Sequence, residues 1–211
     1  STKIRIKSKD ELQILGASVN NMSTRIQHLL KSQVEAARQE KELETARVVQ
    51  ETLFPKKDIK SGPFVATGSY FPASECGGDW WGHFSTSDNK EFICIADATG
   101  HGVAAALVTA IAFSSCNTVA NLYDASEDYR ESPEKILEKM NIVMWEAGGG
   151  LTTMTFFAAF INNETGVMTY ANAGHNPPFL IPKDPADERL KAKKRAKGRR
   201  CLQIQARGTP L

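Results

Sequence analysis

A chain of 211 residues, 41% apolar and 24% charged, has the composition of an ordinary globular protein with room for one sizeable domain and an accessory element. No uninterrupted apolar run of about 18 residues occurs, so no bilayer-spanning segment is expected, and the chain does not open on a signal peptide. The net charge of +2 is unevenly spread, because residues 183–200 carry nine Lys or Arg against three Asp or Glu. That stretch reads either as a solvated loop or as a docking arm for an acidic partner or a membrane surface. Nucleic acid is not expected as its partner, since no aromatic residue interleaves with the basic ones to stack on bases. The four cysteines, Cys76, Cys94, Cys116 and Cys201, stand apart without a CxxC pair. They point to reduced thiols in a cytoplasmic setting and to no zinc site.

In chain order, the first element is one long helix. Residues 9–54 contain no proline and only Gly16, and Leu12, Leu15, Val19, Met22, Ile26 and Leu29 recur at alternating spacings of three and four. That is a coiled-coil seam. It weakens between Lys31 and Glu42 and resumes at Leu43, Ala46 and Leu53. A helix this long and polar cannot bury itself, so a parallel homodimer is the leading expectation and an antiparallel hairpin with its own domain the alternative.

After Pro55 the pattern changes. Strands are expected over 64–72, 78–86 and 91–96, then an alanine-rich helix from Val103 to about Tyr123. Ser132-Pro133-Glu134 opens a second helix running to about Trp145, with serine as N-cap and proline at the first position. Thr152 to Ile161 is nearly all apolar or threonine, as in a strand covered on both faces, and Asn162 to Gly166 turns it into a hairpin with 167–173. Strands, two helices, then strands predict two sheets sandwiched between helices rather than a Rossmann alternation.

Chemistry concentrates at two aspartates in glycine-rich turns: Asp79 in Gly77-Gly78-Asp79-Trp80-Trp81 and Asp97 in Asp97-Ala98-Thr99-Gly100-His101-Gly102. A carboxylate where an apolar strand meets a tight turn has a charge to satisfy, and a hard divalent cation satisfies it. There is no P-loop, nucleophile elbow or zincin motif, and the four histidines are not spaced as metal ligands. His101 is either a turn residue at a helix start or a member of the site.

Glu44 through Pro55, Gly77 through Trp81, Asp97 through Gly102, and Asn172-Ala173-Gly174-His175-Asn176-Pro177-Pro178 stand in the order of one family's signatures. Together they resemble the SpoIIE-like (RsbU-like) serine phosphatases of the metal-dependent PPM, or protein phosphatase 2C-like, class. Asp10-Glu11-Leu12 through Asn20-Asn21-Met22 is similar to the second helix of a HAMP module. The resemblance implies an α+β fold, a PPM-type β-sandwich flanked by helices and preceded by a long coiled-coil helix. It divides the chain into a HAMP-like helix over 1–30, a coiled-coil signalling linker over 31–54 and a phosphatase domain over 55–211. It further implies a binuclear Mn²⁺ or Mg²⁺ centre, with Asp97 bridging the ions, the Ala98 backbone carbonyl as a ligand, and Asp79 binding one ion directly or through water. The implied substrate is a phosphoserine regulatory protein of the anti-sigma-factor antagonist type. A cytoplasmic location follows, compatible with the cytoplasmic portion of an inner-membrane sensor protein.

The chain departs from the family pattern in two places. Where family members show GGDxxD, the second acidic position is Gly82, followed by His83. The remaining metal aspartates of the family come later in the domain than Leu211, so this chain is expected to lack part of the domain and to show little turnover. Beside the phosphatase reading stands a second one, a non-catalytic regulatory module that keeps the fold and its partner surface.

Overall fold

The structure is a computed structural model that describes residues 3–7, 10–55, 58–72, 75–125, 132–150, 152–183, 202–204, 208, 210 and 211. The basic stretch therefore lies, after Lys183, outside the described residues, as does Cys201. The chain forms two compact units, Ser1–Thr45 and Ala46–Leu211, and the first helix, α1 (Glu11–Glu51), contributes to both.

In the first unit the amide of Leu12 bonds the Asp10 carboxylate at 3.1 Å, satisfying one of the free donors of the helix start. The Asn20 side chain grips the Ile4 backbone on both sides, accepting from its N–H at 2.9 Å and donating to its carbonyl at 2.7 Å. Gly16 is buried because Ile6 lies over it, and a Cβ there would stand 2.9 Å from the Ile6 side chain. The seam residues Leu12, Leu15, Val19, Met22, Ile26 and Leu29 are exposed, so no other described segment of this chain covers them.

The second unit is built on an antiparallel sheet of four strands in the order β3 (Asp79–Ser85), β4 (Lys90–Ala98), β5 (Met154–Asn162) and β6 (Met168–Ala173). Two further antiparallel pairs, β1 (Ile59–Ser61) with β2 (Phe64–Ala66), and β7 (Phe179–Leu180) with β8 (Leu202–Gln203), form separate two-stranded sheets. Helices α2 (Val103–Ala125) and α3 (Pro133–Gly148) cover one face of the sheet. Strand periodicity decides which residues they meet: Trp80, Phe92, Cys94, Ala96, Phe156, Ala158 and Phe160 join Ala105, Ala112, Cys116, Ile136 and Met140 in one core. Phe92 and Phe160 stack at 4.5 Å across the strand pair. Each fully buried side chain of this size contributes roughly 1.5–3 kcal/mol by leaving water. Phe157 and Ala159 are buried on the other face, which is why β5 reads as continuously apolar.

One expectation changes and two are refined. Only Phe64–Ala66 of the strand foreseen over 64–72 is formed, because Gly68 passes directly over the Trp81 indole, where any Cβ would collide with the ring. Ser132 holds the extended N-cap backbone of α3 (φ −72°, ψ 155°), yet its hydroxyl makes no capping bond. Length and apolarity alone would let Val103–Leu122 cross a bilayer, but Ala105, Ala112 and Cys116 bury one face of this helix on the sheet. Cys76, Cys94 and Cys116 are buried and form no disulfide with one another, with Cys94 and Cys116 Sγ 3.5 Å apart.

Candidate active site

The β3–β4 register puts Asp79 directly opposite Asp97. Directly paired residues of an antiparallel ladder project from the same face about 5 Å apart, so two carboxylates share one spot on the sheet face away from α2 and α3. Both are exposed, so like-charge proximity rather than deep burial distinguishes the pair. Partial desolvation raises the Asp79 pKa above the usual carboxylate value; the charge of Asp97 adds to the rise, and His175 opposes it. A carboxylate pair in this state is relieved by a cation.

Glycine makes the approach possible. A Cβ at Gly78 would run into the Ala98 carbonyl, and the Ala98 amide bonds Gly78 O at 3.0 Å, locking the two turns together. Gly100 and Gly102 take left-handed φ values of 95° and 77°, reversing the chain between Asp97 and α2. Met154 uses both backbone groups on Leu211, at 3.0 and 2.9 Å, although it is the register partner of Ala98 on β5. The Ala98 carbonyl consequently faces the Asp79 turn rather than β5, as a backbone ligand there requires.

Gly82 faces the other way. It lies three residues beyond Asp79 in a strand, on the core side, where a side chain would meet the rings of Trp80 and Phe84. An acidic residue there would not reach the Asp79–Asp97 face, so its absence takes nothing from the pair. His101 is exposed in the turn before α2 and has no hydrogen-bond partner among the described residues, which fits the turn reading.

Three residues without an assigned role in the sequence reading belong to this site. Thr155 is the β5 partner of Asp97, and its hydroxyl lies 2.8 Å from His175 Nδ1. His175 senses both aspartates; burial lowers its pKa and the two carboxylates oppose that shift without cancelling it. Gln50, buried near the end of α1, holds the turn that carries Asp79: its Nε2 donates to Gly77 O at 2.7 Å and to Thr109 Oγ1 at 3.0 Å. Its Oε1 accepts from Gly77 N at 3.3 Å and from Tyr70 OH at 3.1 Å. Trp80 Nε1 donates to Leu53 O at 3.1 Å, a second tie between the two segments. Gln50 was visible as a polar residue at a seam position, in the line Leu43, Ala46, Gln50, Leu53.

Among the described residues no cluster of three or more His, Cys, Asp or Glu side chains is arranged to hold a metal. The donors present, two carboxylates and a carbonyl, suit a hard cation and make up part of a coordination shell.

The family model for Stage II sporulation protein E (SpoIIE) matches residues 87–198, more than half of the chain. The chain belongs to the SpoIIE family. Asp97 and His175 fall inside the matched region, and Asp79 lies just before it. The chain is 26% identical over 204 residues to Protein IcfG of Synechocystis sp., covering 87% of this chain and 32% of that protein. It is 29% identical over 138 residues to Phosphoserine phosphatase RsbU of Bacillus subtilis, covering 65% of this chain and 39% of that protein. It thus spans about a third of the length of the curated relatives it matches. The solved SiaA-PP2C domain of Pseudomonas aeruginosa superposes with a TM-score of 0.52 at 17% identity, covering 69% of this chain and 56% of that one, and shares the fold. This SpoIIE-family chain therefore carries a helix-backed sheet whose fold it shares with that PP2C domain.

Proposed function

We propose that the chain is part of a metal-dependent protein serine/threonine phosphatase, and that Asp79 and Asp97, with the Ala98 carbonyl, hold Mn²⁺ or Mg²⁺. The observation that carries this reading is the direct cross-strand pairing of the two aspartates on an open face. When bound, such ions acidify a water and neutralise the phosphate, which allows hydrolysis without a protein nucleophile. The chain's own residues do the positioning. The paired carboxylates concentrate negative charge at one point, Gly78 lets the Ala98 carbonyl approach, and Gln50 fixes the turn ahead of Asp79. The substrate we infer is phosphoserine on a small regulatory protein of the anti-sigma-factor antagonist type, a reading supported by the likeness to Phosphoserine phosphatase RsbU.

The exposed seam of α1 supports a parallel homodimer, with residues 1–54 carrying a signal toward the phosphatase domain on the cytoplasmic side of a membrane-anchored parent. The test is hydrolysis of a phosphoserine peptide by the full-length parent in Mn²⁺. Activity that chelation removes and that Asp97→Ala abolishes, with the fold retained by circular dichroism, is the expected result; activity undiminished in Asp97→Ala defeats the proposal. One observation favours the alternative of a partner-binding module without chemistry, namely that the described residues supply only two carboxylates to the site. Mn²⁺ binding without any turnover in the full-length parent would decide for it.

A further inference from the structure

The aspartate pair is the start of a longer row. The sheet register runs Asp79, Asp97, Thr155 across β3, β4 and β5, and the Thr155 hydroxyl meets His175 in the segment after β6. Neighbouring strands stand about 4.8 Å apart, so the row brings the imidazole held by Thr155 near the two carboxylates, whose charges both act on it.

The segment Asn172-Ala173-Gly174-His175 is shaped to hold that ring still. The buried Asn172 amide takes both backbone groups of His175, accepting from its N–H at 2.7 Å and donating to its carbonyl at 3.0 Å. Gly174 supplies a left-handed φ of 71° at the bend, and a Cβ there would stand 2.8 Å from Pro210. Nδ1 is engaged by Thr155, while Nε2 has no hydrogen-bond partner among the described residues and the ring is half-exposed. A ring pinned at its backbone and at one nitrogen, with its other nitrogen left open beside the aspartates, is arranged to bind something from solvent.

Which chemistry Nε2 offers depends on where the Thr155 proton goes. The hydroxyl lies 3.4 Å from the Asp97 carbonyl, too far for a good O–H···O bond, and 2.8 Å from Nδ1. Donation to Nδ1 therefore satisfies the hydroxyl best, and a neutral ring then carries its proton on Nε2. The lowered pKa of His175 keeps the ring neutral near pH 7.

We propose that His175 Nε2–H, set in that tautomer by Thr155, grips a phosphoryl oxygen beside the Asp79–Asp97 pair. The identity of the group as phosphoryl rests on the phosphatase reading above. The opposite tautomer would leave a lone pair on Nε2 and make His175 a metal ligand instead, so the tautomer decides between the two.

Long-range ¹H–¹⁵N spectra of the labelled chain, with His175 assigned by His175→Phe, read the tautomer directly. The expected result is a protonated-type Nε2 and an unprotonated Nδ1 that lose their definition in Thr155→Val and recover in Thr155→Ser. Inorganic phosphate with Mg²⁺ should shift Nε2, and His175→Phe should bind that phosphate about tenfold more weakly. A proton on Nδ1, or a His175 signal that phosphate leaves unmoved, overturns the proposal. Phosphoserine hydrolysis by the full-length parent separates the two readings. A phosphate-shifted Nε2 without hydrolysis supports the grip and removes the phosphatase, whereas hydrolysis with an unresponsive His175 removes the grip alone.

Discussion

Gln50→Ala is the substitution whose consequence can be worked most fully from the structure. The side-chain amide is buried and meets four groups: Gly77 N–H, Gly77 C=O, the Thr109 hydroxyl and the Tyr70 hydroxyl. Truncation leaves these groups without that partner and opens a cavity beside the turn leading to Asp79. Thr109 keeps its bond to Ala106 O at 2.8 Å, and the half-buried Tyr70 reaches water, so the backbone groups of Gly77 bear most of the loss. At about 1–3 kcal/mol for each buried group left unsatisfied, the cost comes to about 3 kcal/mol. At roughly 2–4 °C per kcal/mol for a domain of this size, the melting temperature falls by about 6–12 °C. Gln50→Glu keeps the size but cannot donate to Gly77 O, so it should cost at least as much, and the amide signals of Gly77, Gly78 and Asp79 should move most. Thermal unfolding followed by circular dichroism, paired with amide spectra, measures both. A melting temperature unchanged by Gln50→Ala, or shifts centred away from Gly77–Asp79, would refute the assignment of Gln50 as the clamp on this turn.

Asp97→Asn removes the like charge beside Asp79 and should make Asp79 more acidic, though not fully ordinary because its partial desolvation remains; carboxyl ¹³C titration checks the direction. Burial of Glu91 works against its ionisation, but hydrogen bonds from Ser61, Asn163, Ser85 and His83 outweigh that penalty and hold its pKa below the usual value. Its stabilisation is therefore present above the unfolded-state value of about 4.3 and is lost as pH falls through the lower folded value. Glu91→Ala should cost about 3–5 kcal/mol in urea unfolding at neutral pH and flatten the acid limb of the stability curve; an unaltered acid limb counts against the network. Charging the α1 seam by Leu15→Glu with Val19→Glu should convert a dimer to a monomer in light scattering, and a dimer that survives both changes contradicts the coiled-coil reading. Cys76, Cys94 and Cys116 should react with maleimide only on unfolding, since all three are buried and desolvation pushes the Cys94 thiol pKa well up.

The elements that periodicity made legible are those whose burial follows a simple face. The β5–β6 hairpin, α2, α3 and the paired aspartate turns stand close to where apolar spacing and turn residues place them. Chain order could not show that Asp79 faces Asp97, because register is a property of two strands and appears only once they are laid side by side. The same limit hid Thr155, an unremarkable threonine in an apolar strand until its cross-strand neighbour is known. Gln50 was obscured differently: on a long polar helix a glutamine is unremarkable, and only its place in the seam separated it from a dozen solvated neighbours. The segment 64–72 misled because its chain passes over Trp81 at Gly68, Tyr70 stacks on Phe54 and Phe71 stays exposed, so its apolar residues beyond Ala66 join no ladder.

The most direct test of the central claim, that Asp79 and Asp97 form a hard-cation site, is a Mn²⁺ titration of the labelled chain followed by paramagnetic broadening of its amide signals. Broadening should begin at residues 77–79 and 97–99, spread next to Thr155 and His175, and disappear in Asp97→Asn. Broadening centred anywhere else, or left intact by Asp97→Asn, would contradict it.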